Sequence, residues 1–393
     1  MSSVMKDYKE LLSARAQELK PSGIRKFFDM LGDMDDVVAL TVGQPDFVTP
    51  WHIREAGINS LEQGKTYYTS NSGLIEMREE IARYLNRRFS LDYSPSDEIV
   101  VTVGGSEAID IAMRAVINPG DEVIIPTPCF VCYEPLCKMA DGVPVSVVTE
   151  EKDNFKLTPE KLRAAITPKT KLLVMPFPNN PTGAIMTKED LEGIAEVLRG
   201  TDIFVLSDEI YAEMTYGERD HVSIASLPGM RERTIVVNGF SKAYAMTGWR
   251  MGYTAAPREI TKQMLKLHQF AIMCAPTTSQ FAAIEALKNG DADIERMTGE
   301  YDLRRRFLVD SLREIGIPCF EPEGAFYVFP NIGVFGMSSE EFCERLLYEG
   351  KVAIVPGTAF GECGEGFARI SYAYSLKHIG MALERIKAFV SKL

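Results

Sequence analysis

Lys242 stands in the segment Gly239-Phe240-Ser241-Lys242-Ala243-Tyr244-Ala245-Met246-Thr247-Gly248-Trp249-Arg250, directly after an apolar run at 233–237. An amine delivered by a buried strand loses hydration, which lowers its pKa and frees it to form an imine with a carbonyl. A solvated Lys242 and a structural Arg250 are the competing readings. A second run, 202–206, leads into Ser207-Asp208-Glu209-Ile210-Tyr211. A carboxylate there is costly unless Asp208 meets a cation or leans into water. After a third run, 171–175, comes Pro178-Asn179-Asn180-Pro181-Thr182-Gly183, where two prolines hold an amide side chain rigidly. A fourth, 98–103, leads into Gly104-Gly105-Ser106-Glu107 and a helical pattern of Ala108, Ile109, Ala112, Met113 and Val116. A glycine turn that opens a helix offers free N–H groups and the positive end of a dipole to an anion such as phosphate, although Ser106 also suits a plain N-cap. Arg369, inside the run 367–371, points to a buried use; a surface ion pair is its alternative.

These segments need elements that bring them together. From 48 to 287, short Val/Ile/Leu-rich runs, with a further one at 122–126, alternate with helical stretches. That alternation predicts an α/β fold: a large domain at 48–287 with a mostly parallel mixed sheet between helices. Beyond residue 292 the pattern changes to a charged helix through Arg313, a strand near 325–329, a helix from Ser339 ended by Gly350, strands near 352–355 and 367–371, and a closing amphipathic helix. This predicts a smaller α+β domain made of residues 1–47 and 288–393, with the arm before Gln44 packing on it. Open α/β sheets bind ligands beyond the carboxyl ends of their strands, where these segments fall.

Composition narrows the partners. With 43 Lys plus Arg against 55 Asp plus Glu, the net charge of −12 disfavours nucleic acid and anionic membrane. Residues 1–26 lack a signal-peptide core, and no stretch approaches the roughly 18 apolar residues of a membrane span. Seven cysteines, an odd number, read as free thiols in a reducing, cytoplasmic setting. Cys129, Cys132 and Cys137 lack further ligands nearby, so no metal site is expected. The final Ser391-Lys392-Leu393 matches a peroxisomal address, with a Lys complementing a helix C-terminus as the alternative. Gly64-Lys65-Thr66 fails as a phosphate-binding loop because Asn59 stands where a glycine is required. There is no G-x-S-x-G, no His-Glu-x-x-His and no G-x-G-x-x-G after a strand.

In this order and spacing, the segments resemble the fold-type I pyridoxal-phosphate aminotransferases, class I/II, the branch of aspartate, aromatic and alanine aminotransferases. The resemblance runs from Gly43-Gln44-Pro45-Asp46 through Tyr68 to Arg78, Asn179 to Gly183, Asp208 to Tyr211, Ser241 to Arg250 and Gly324 to Tyr327, ending at Arg369-Ile370-Ser371. It implies transfer of an amino group from an L-amino acid to a 2-oxo acid. Lys242 would hold the cofactor as a Schiff base and then shuttle the substrate proton. Asp208 would keep the pyridine nitrogen protonated, while Asn180 and Tyr211 would donate to the phenolic oxygen. Gly105, Ser106, Glu107, Ser241 and Arg250 would hold the phosphate, and Phe130 would stack on the ring, with a plain core Phe as its alternative. Tyr68 would reach the phosphate of a neighbouring subunit in a homodimer with shared active sites. Arg369, helped by Asn180 and the Gly43 backbone, would bind the substrate α-carboxylate with a two-pronged pair that Lys could not reproduce.

Three departures stand out. Gly239 occupies a position where many relatives carry a phosphate-binding Ser or Thr. Pro128-Cys129-Phe130 leaves the stacking position open by one residue. No Arg can be assigned to a second substrate carboxylate. The alternatives are a carbon–sulfur β-lyase on the same scaffold and a non-catalytic cofactor-binding regulator; no leading DNA-binding domain and the acidic balance speak against the regulator.

Overall fold

The computed structural model describes residues 8–21, 23, 34, 36–217 and 219–393. Of the N-terminal arm expected to pack on the smaller domain, residues 1–7, 22, 24–33 and 35 lie outside the described residues. Twelve strands are described: β1 (Val38–Ala39), β2 (Ile99–Thr102), β3 (Glu122–Thr127), β4 (Val143–Val148), β5 (Thr170–Met175), β6 (Phe204–Asp208), β7 (Thr234–Gly239), β8 (Gly252–Ala255), β9 (Tyr327–Val328), β10 (Val352–Ala353), β11 (Val355–Pro356) and β12 (Ala368–Ser371). Seven form one sheet in the order β2-β8-β7-β6-β5-β3-β4. All its pairs are parallel except those of β8, which runs antiparallel to both β2 and β7.

The expected runs became strands because helices cover both faces of the sheet. Every residue of β2 and β7 is buried, so a continuous apolar run, unlike an alternating one, leaves no face in water. β4 and β8 were not anticipated. β4 begins Val143-Pro144, and a proline is tolerated because β4 is an edge strand. β8 opens at Gly252, and that glycine fixes the geometry of the sheet's working end. Gly252 is level with Gly239 on one side and Thr102 on the other, so the loops after β7 and β2 leave the sheet side by side. A Cβ on Gly252 would lie 2.6 Å from the carbonyl carbon of Gly104 and 2.8 Å from the nitrogen of Gly105.

The remaining strands build a second group. β11, β12 and β9 form an antiparallel sheet in that order, and β1 pairs in parallel with β10. Val38 and Leu40 share a buried cluster with Leu308, Phe326, Val352, Ile370 and Leu383, so residues 38–40 of the arm pack on the C-terminal elements. The earlier part of the arm goes elsewhere: in the helix Ala14–Glu18, Arg15 pairs with Asp141 ahead of β4. Past β1 the chain runs along β12, where Ser371 N–H donates to the Leu40 carbonyl at 3.0 Å, and this brings residues 41–44 alongside Arg369.

A methyl group at residue 252 forces the β2 and β7 loops apart. Gly252→Ala is expected to lower the unfolding free energy by about 1–3 kcal/mol, as overpacking does. Thermal unfolding measures this, and an unchanged midpoint would show that the loops yield without cost.

Candidate active site

The loops that leave β2, β5, β6 and β7 meet residues 41–44 and β12 around one cavity of about 390 Å³. Gly43, Gly105, Ser106, Phe130, Asn180, Asp208, Tyr211, Ser241, Lys242, Arg250 and Arg369 all line it, so the structure gathers eleven of the thirteen expected site residues. Glu107 and Tyr68 are not among the lining residues.

Lys242 is half-buried, and its Nζ donates to the Gly43 carbonyl at 2.5 Å. Burial first, then the nearby Arg369 and Arg250, bring its pKa down to about 8 from an ordinary lysine value, with Asp208 pulling weakly the other way. Asp208 is buried at the end of β6; desolvation pushes its pKa up to about 6. Two donors oppose that rise: the Tyr133 hydroxyl to Oδ2 at 2.6 Å, and the Ile210 N–H to Oδ1 at 3.2 Å.

The two asparagines divide their tasks. Asn179 locks its own turn, accepting from Thr182 N–H at 3.1 Å and the Thr182 hydroxyl at 2.9 Å. Gly183, at φ +73°, closes that turn where a side chain would strike Pro322. Asn180 faces the cavity, and its Oδ1 accepts from Arg369 Nη1 at 2.9 Å, which leaves the Asn180 NH2 as donor.

Arg369 is only 2% exposed, yet no carboxylate pairs with it among the described residues. Its Nη2 donates to the Thr41 carbonyl at 2.6 Å, and its guanidinium lies 4.5 Å and 4.7 Å from the ring centres of Tyr327 and Phe360. Its Nε is buried without a hydrogen-bond partner among the described residues. Arg250, exposed in this chain, adopts φ +53° and donates to the Thr247 carbonyl at 3.0 Å. A Cβ on Gly104, itself at φ +75°, would come within 2.5 Å of Arg250 Nη2, so only glycine lets that guanidinium lie against the loop.

Two functional contacts escaped the sequence reading. Tyr133, the donor to Asp208, lies three residues past Phe130, and no spacing rule marks it; the Phe130 and Tyr133 rings meet edge to face at 6.2 Å. Tyr327 closes the motif that begins at Gly324, and its hydroxyl shares a 2.8 Å hydrogen bond with that of Tyr211.

A mostly parallel sheet whose loop ends gather a weakly basic lysine, a buried carboxylate and a helix N-terminus beside an arginine defines an α/β enzyme for an anionic carbonyl compound. The family "Aminotransferase class I and II" matches residues 35–386, and the chain belongs to that family. Bacillus subtilis YugH, named only as an aminotransferase, is 55% identical over 100% of both chains. The aspartate aminotransferase of Pyrococcus abyssi is 45% identical, covering 96% of this chain and 97% of the relative. The crystal structure of an aromatic aminotransferase from Pyrococcus horikoshii superposes with a TM-score of 0.89 at 44% identity, covering 93% of this chain and 99% of that one. The protein is a pyridoxal-phosphate-dependent aminotransferase that acts on amino acids and 2-oxo acids, of fold type I. The residues fit that cofactor: the strand ends offer an amine, a buried acid and an anion cradle that a Cβ at residue 104 would fill. No described helix is long and apolar enough to cross a membrane.

The depressed pKa of Lys242 sets a pH signature. Capture of an aldehyde needs the neutral amine, so the capture rate of the apo protein should rise with pH through a midpoint near 8 and then level off. Arg369→Leu removes a cation that lowers this pKa, so its midpoint moves up; Asp208→Asn removes a carboxylate that raises it, so its midpoint moves down. Borohydride trapping of pyridoxal at a series of pH values measures the midpoints, and one near 10.5 in the parent protein contradicts the assignment.

Proposed function

We propose that the cavity residues divide the transamination among themselves as follows. The supporting observation is the charge imbalance of one cavity, where Lys242, Arg250 and Arg369 face a single carboxylate, Asp208. Such an excess of positive charge suits an anionic cofactor and an anionic substrate. When bound, pyridoxal phosphate supplies an electron-withdrawing ring that stabilises negative charge at the substrate α-carbon. Lys242 would be the covalent attachment point and afterwards the base that takes the proton from the substrate α-carbon and delivers it to the cofactor carbon C4′. Its low pKa keeps a useful share of the amine neutral near physiological pH.

Asp208 holds a proton at the pyridine nitrogen, and Tyr133 fixes the carboxylate that does so. Tyr211 and the NH2 of Asn180 donate to the phenolic oxygen. Gly105, Ser106 and Glu107 offer backbone N–H groups to the phosphate at the start of the helix Gly104–Val116, with Ser241 and Arg250 completing the seat. Phe130 packs against the ring. Arg369 binds the α-carboxylate, aligned by Asn180 and the Thr41 carbonyl, with Gly43 beside it.

The same reading includes a homodimer with shared sites and two domains, one at 48–287 and one at 1–47 plus 288–393. Tyr68 is 79% exposed and Phe270 is 88% exposed. Two hydrogen bonds tie their segments together, from Asn71 Nδ2 to the Met273 carbonyl at 2.8 Å and from the Thr277 hydroxyl to the Tyr67 carbonyl at 2.7 Å. An apolar patch of this kind suits a second subunit, and Tyr68 would reach that subunit's phosphate seat. Seven free cysteines support a reducing, cytoplasmic location.

Lys242→Ala is expected to lose borohydride-stable attachment of the cofactor and at least ~10⁴-fold in turnover, the upper range for a proton-transfer group. Formation of a 2-oxo acid from the amino donor is the assay. Replacing the forked pair by a point charge in Arg369→Lys removes roughly 1.5–3 kcal/mol of charge-assisted bonding, which lowers kcat/KM about 10- to 100-fold.

Subunit exchange tests the shared site. Tyr68→Ala should bind cofactor weakly, and hybrid dimers of Tyr68→Ala with Lys242→Ala should regain activity, because each hybrid holds one intact site. Hybrids that stay inactive contradict the assignment of Tyr68.

A further inference from the structure

We propose that Glu209 and His221 are a buried positioning pair that acts through Asp208: the Glu209 carboxylate, on the opposite face of β6, strengthens the hold of Asp208 on a proton, and His221 governs how much of that charge is felt. This role rests on the functional assignment above, in which the proton is shared with the pyridine nitrogen. Glu209 follows Asp208 at the end of β6 and is buried within one chain, 0% exposed. Side chains alternate along a strand, so Asp208 turns to the cavity and Ser207 away from it. Glu209 joins Ser207: its Oε1 accepts from the Ser207 hydroxyl at 2.8 Å and from the Ser223 hydroxyl at 2.5 Å. Its Oε2 lies 3.1 Å from His221 Nε2, a contact between charges rather than an aligned hydrogen bond. The Glu209 N–H donates to the Val237 carbonyl at 2.8 Å, which ties its backbone to β7.

Burying a carboxylate is costly, and an uncharged side chain of the same shape would fill this space at a lower cost, so the charge calls for a use. Asp208 and Glu209 are neighbours on two sides of one backbone, both shielded from water, and each feels the charge of the other strongly there. An anion behind Asp208 favours a proton on it, and Glu209 is among the groups that raise its pKa, after burial. His221 works against that field: an imidazolium cancels part of it, whereas a neutral imidazole leaves it whole. The ring is held edge to face against Phe89 at 5.5 Å, so the imidazole cannot swing away freely. Tyr133, Tyr211, Cys132 and Lys242 are the other titratable groups around Asp208, and Tyr93 and Tyr253 are those around Glu209. Burial pushes the four phenols and the thiol upward, away from neutral pH.

Carboxyl ¹³C NMR of the apo protein labelled at aspartate, with Asp208 identified through Asp208→Asn, follows this titration. The Asp208 midpoint of the parent lies at about 6, and Glu209→Gln, which keeps the shape and removes the charge, should lower it by roughly half a pH unit or more, with burial still holding it above an ordinary aspartate value. His221→Gln removes the opposing charge and should raise the midpoint; it carries the test where Glu209→Gln does not fold. A midpoint unmoved by Glu209→Gln overturns the proposal, because a merely structural Glu209 would alter the thermal midpoint and leave this titration alone. One unmoved by His221→Gln removes His221 from the pair, and overturns the whole where only that variant folds. With ¹⁵N-labelled pyridoxal phosphate bound, the ring nitrogen in Glu209→Gln should release its proton at lower pH than in the parent. An Asp208 midpoint that falls in the apo protein while the ring nitrogen titrates unchanged defeats the assignment of Asp208 to that nitrogen and leaves the coupling of Glu209 to Asp208 standing.

Discussion

The architecture depends on keeping a guanidinium in the protein interior without a carboxylate to neutralise it. Arg369 is fully desolvated, and burial lowers its pKa, so the folded chain holds it at a cost of several kcal/mol. What offsets that cost is a set of neutral partners: the Thr41 carbonyl, the Asn180 amide oxygen and the faces of Tyr327 and Phe360. Each comes from a different part of the chain. Residue 41 follows β1, Asn180 lies in the turn after β5, Tyr327 is on β9, and Arg369 is on β12. The pairing of β1 with β10, and of β12 with β9 and β11, therefore fixes the register of residues that touch one charged group. The same uncompensated charge lowers the basicity of Lys242, which couples the Arg369 and Lys242 sides of the cavity through a field rather than a contact.

Close backbone approach is the second requirement. Gly43 carries no side chain because a Cβ there would meet the Tyr327 hydroxyl, and its carbonyl is the acceptor for Lys242. Gly252 brings β8 against the Gly104–Gly105 peptide, and Gly104 lets Arg250 lie over the loop. Arg250 and Ala245 both hold positive φ, at +53° and +52°, within one turn-rich segment. Non-glycine residues in that region carry backbone strain of order 1–3 kcal/mol, which surrounding structure must over-determine. Here the buried ring of Phe240 stacks on Tyr244, and Trp249 donates to the Thr49 hydroxyl at 3.1 Å, pinning the segment at both ends.

Much of this was legible in the sequence because strand ends and glycine turns are local features. Five of the large-sheet strands announced themselves as apolar runs, and residues that follow all five line the cavity. What stayed hidden depended on distant partners. β8 is a four-residue strand that opens on Gly252, and its role appears only through its register with Thr102 and Gly239. Tyr133 looks like any helix-start aromatic until the fold places its hydroxyl 2.6 Å from Asp208. The doubled Asn179-Asn180 could be read as a rigid amide, but only the structure separates the residue that locks the turn from the one that meets Arg369. Tyr68 does not line the cavity of its own chain, and a single chain leaves its ring in solvent.

Glu107 shows how a sequence of net charge −12 can still present a positive pocket. An acidic residue in the first turn of a helix is ordinarily favourable to the dipole, yet in the proposed assignment the same N-terminus would seat an anion, and a free carboxylate would compete with it. The structure turns that side chain away. One oxygen of Glu107 accepts from the Val103 N–H at 2.5 Å, and the other lies 2.6 Å from Nδ1 of His268, a fully buried residue of the neighbouring helix Arg258–Ala271. The carboxylate thus satisfies the peptide just before the glycine turn and braces the loop from behind. Gly105 and Ser106, in the first turn, line the cavity. The excess acid of the chain is spent on bracing and surface pairs, and the local field at the strand ends is set by the cations that no acid neutralises.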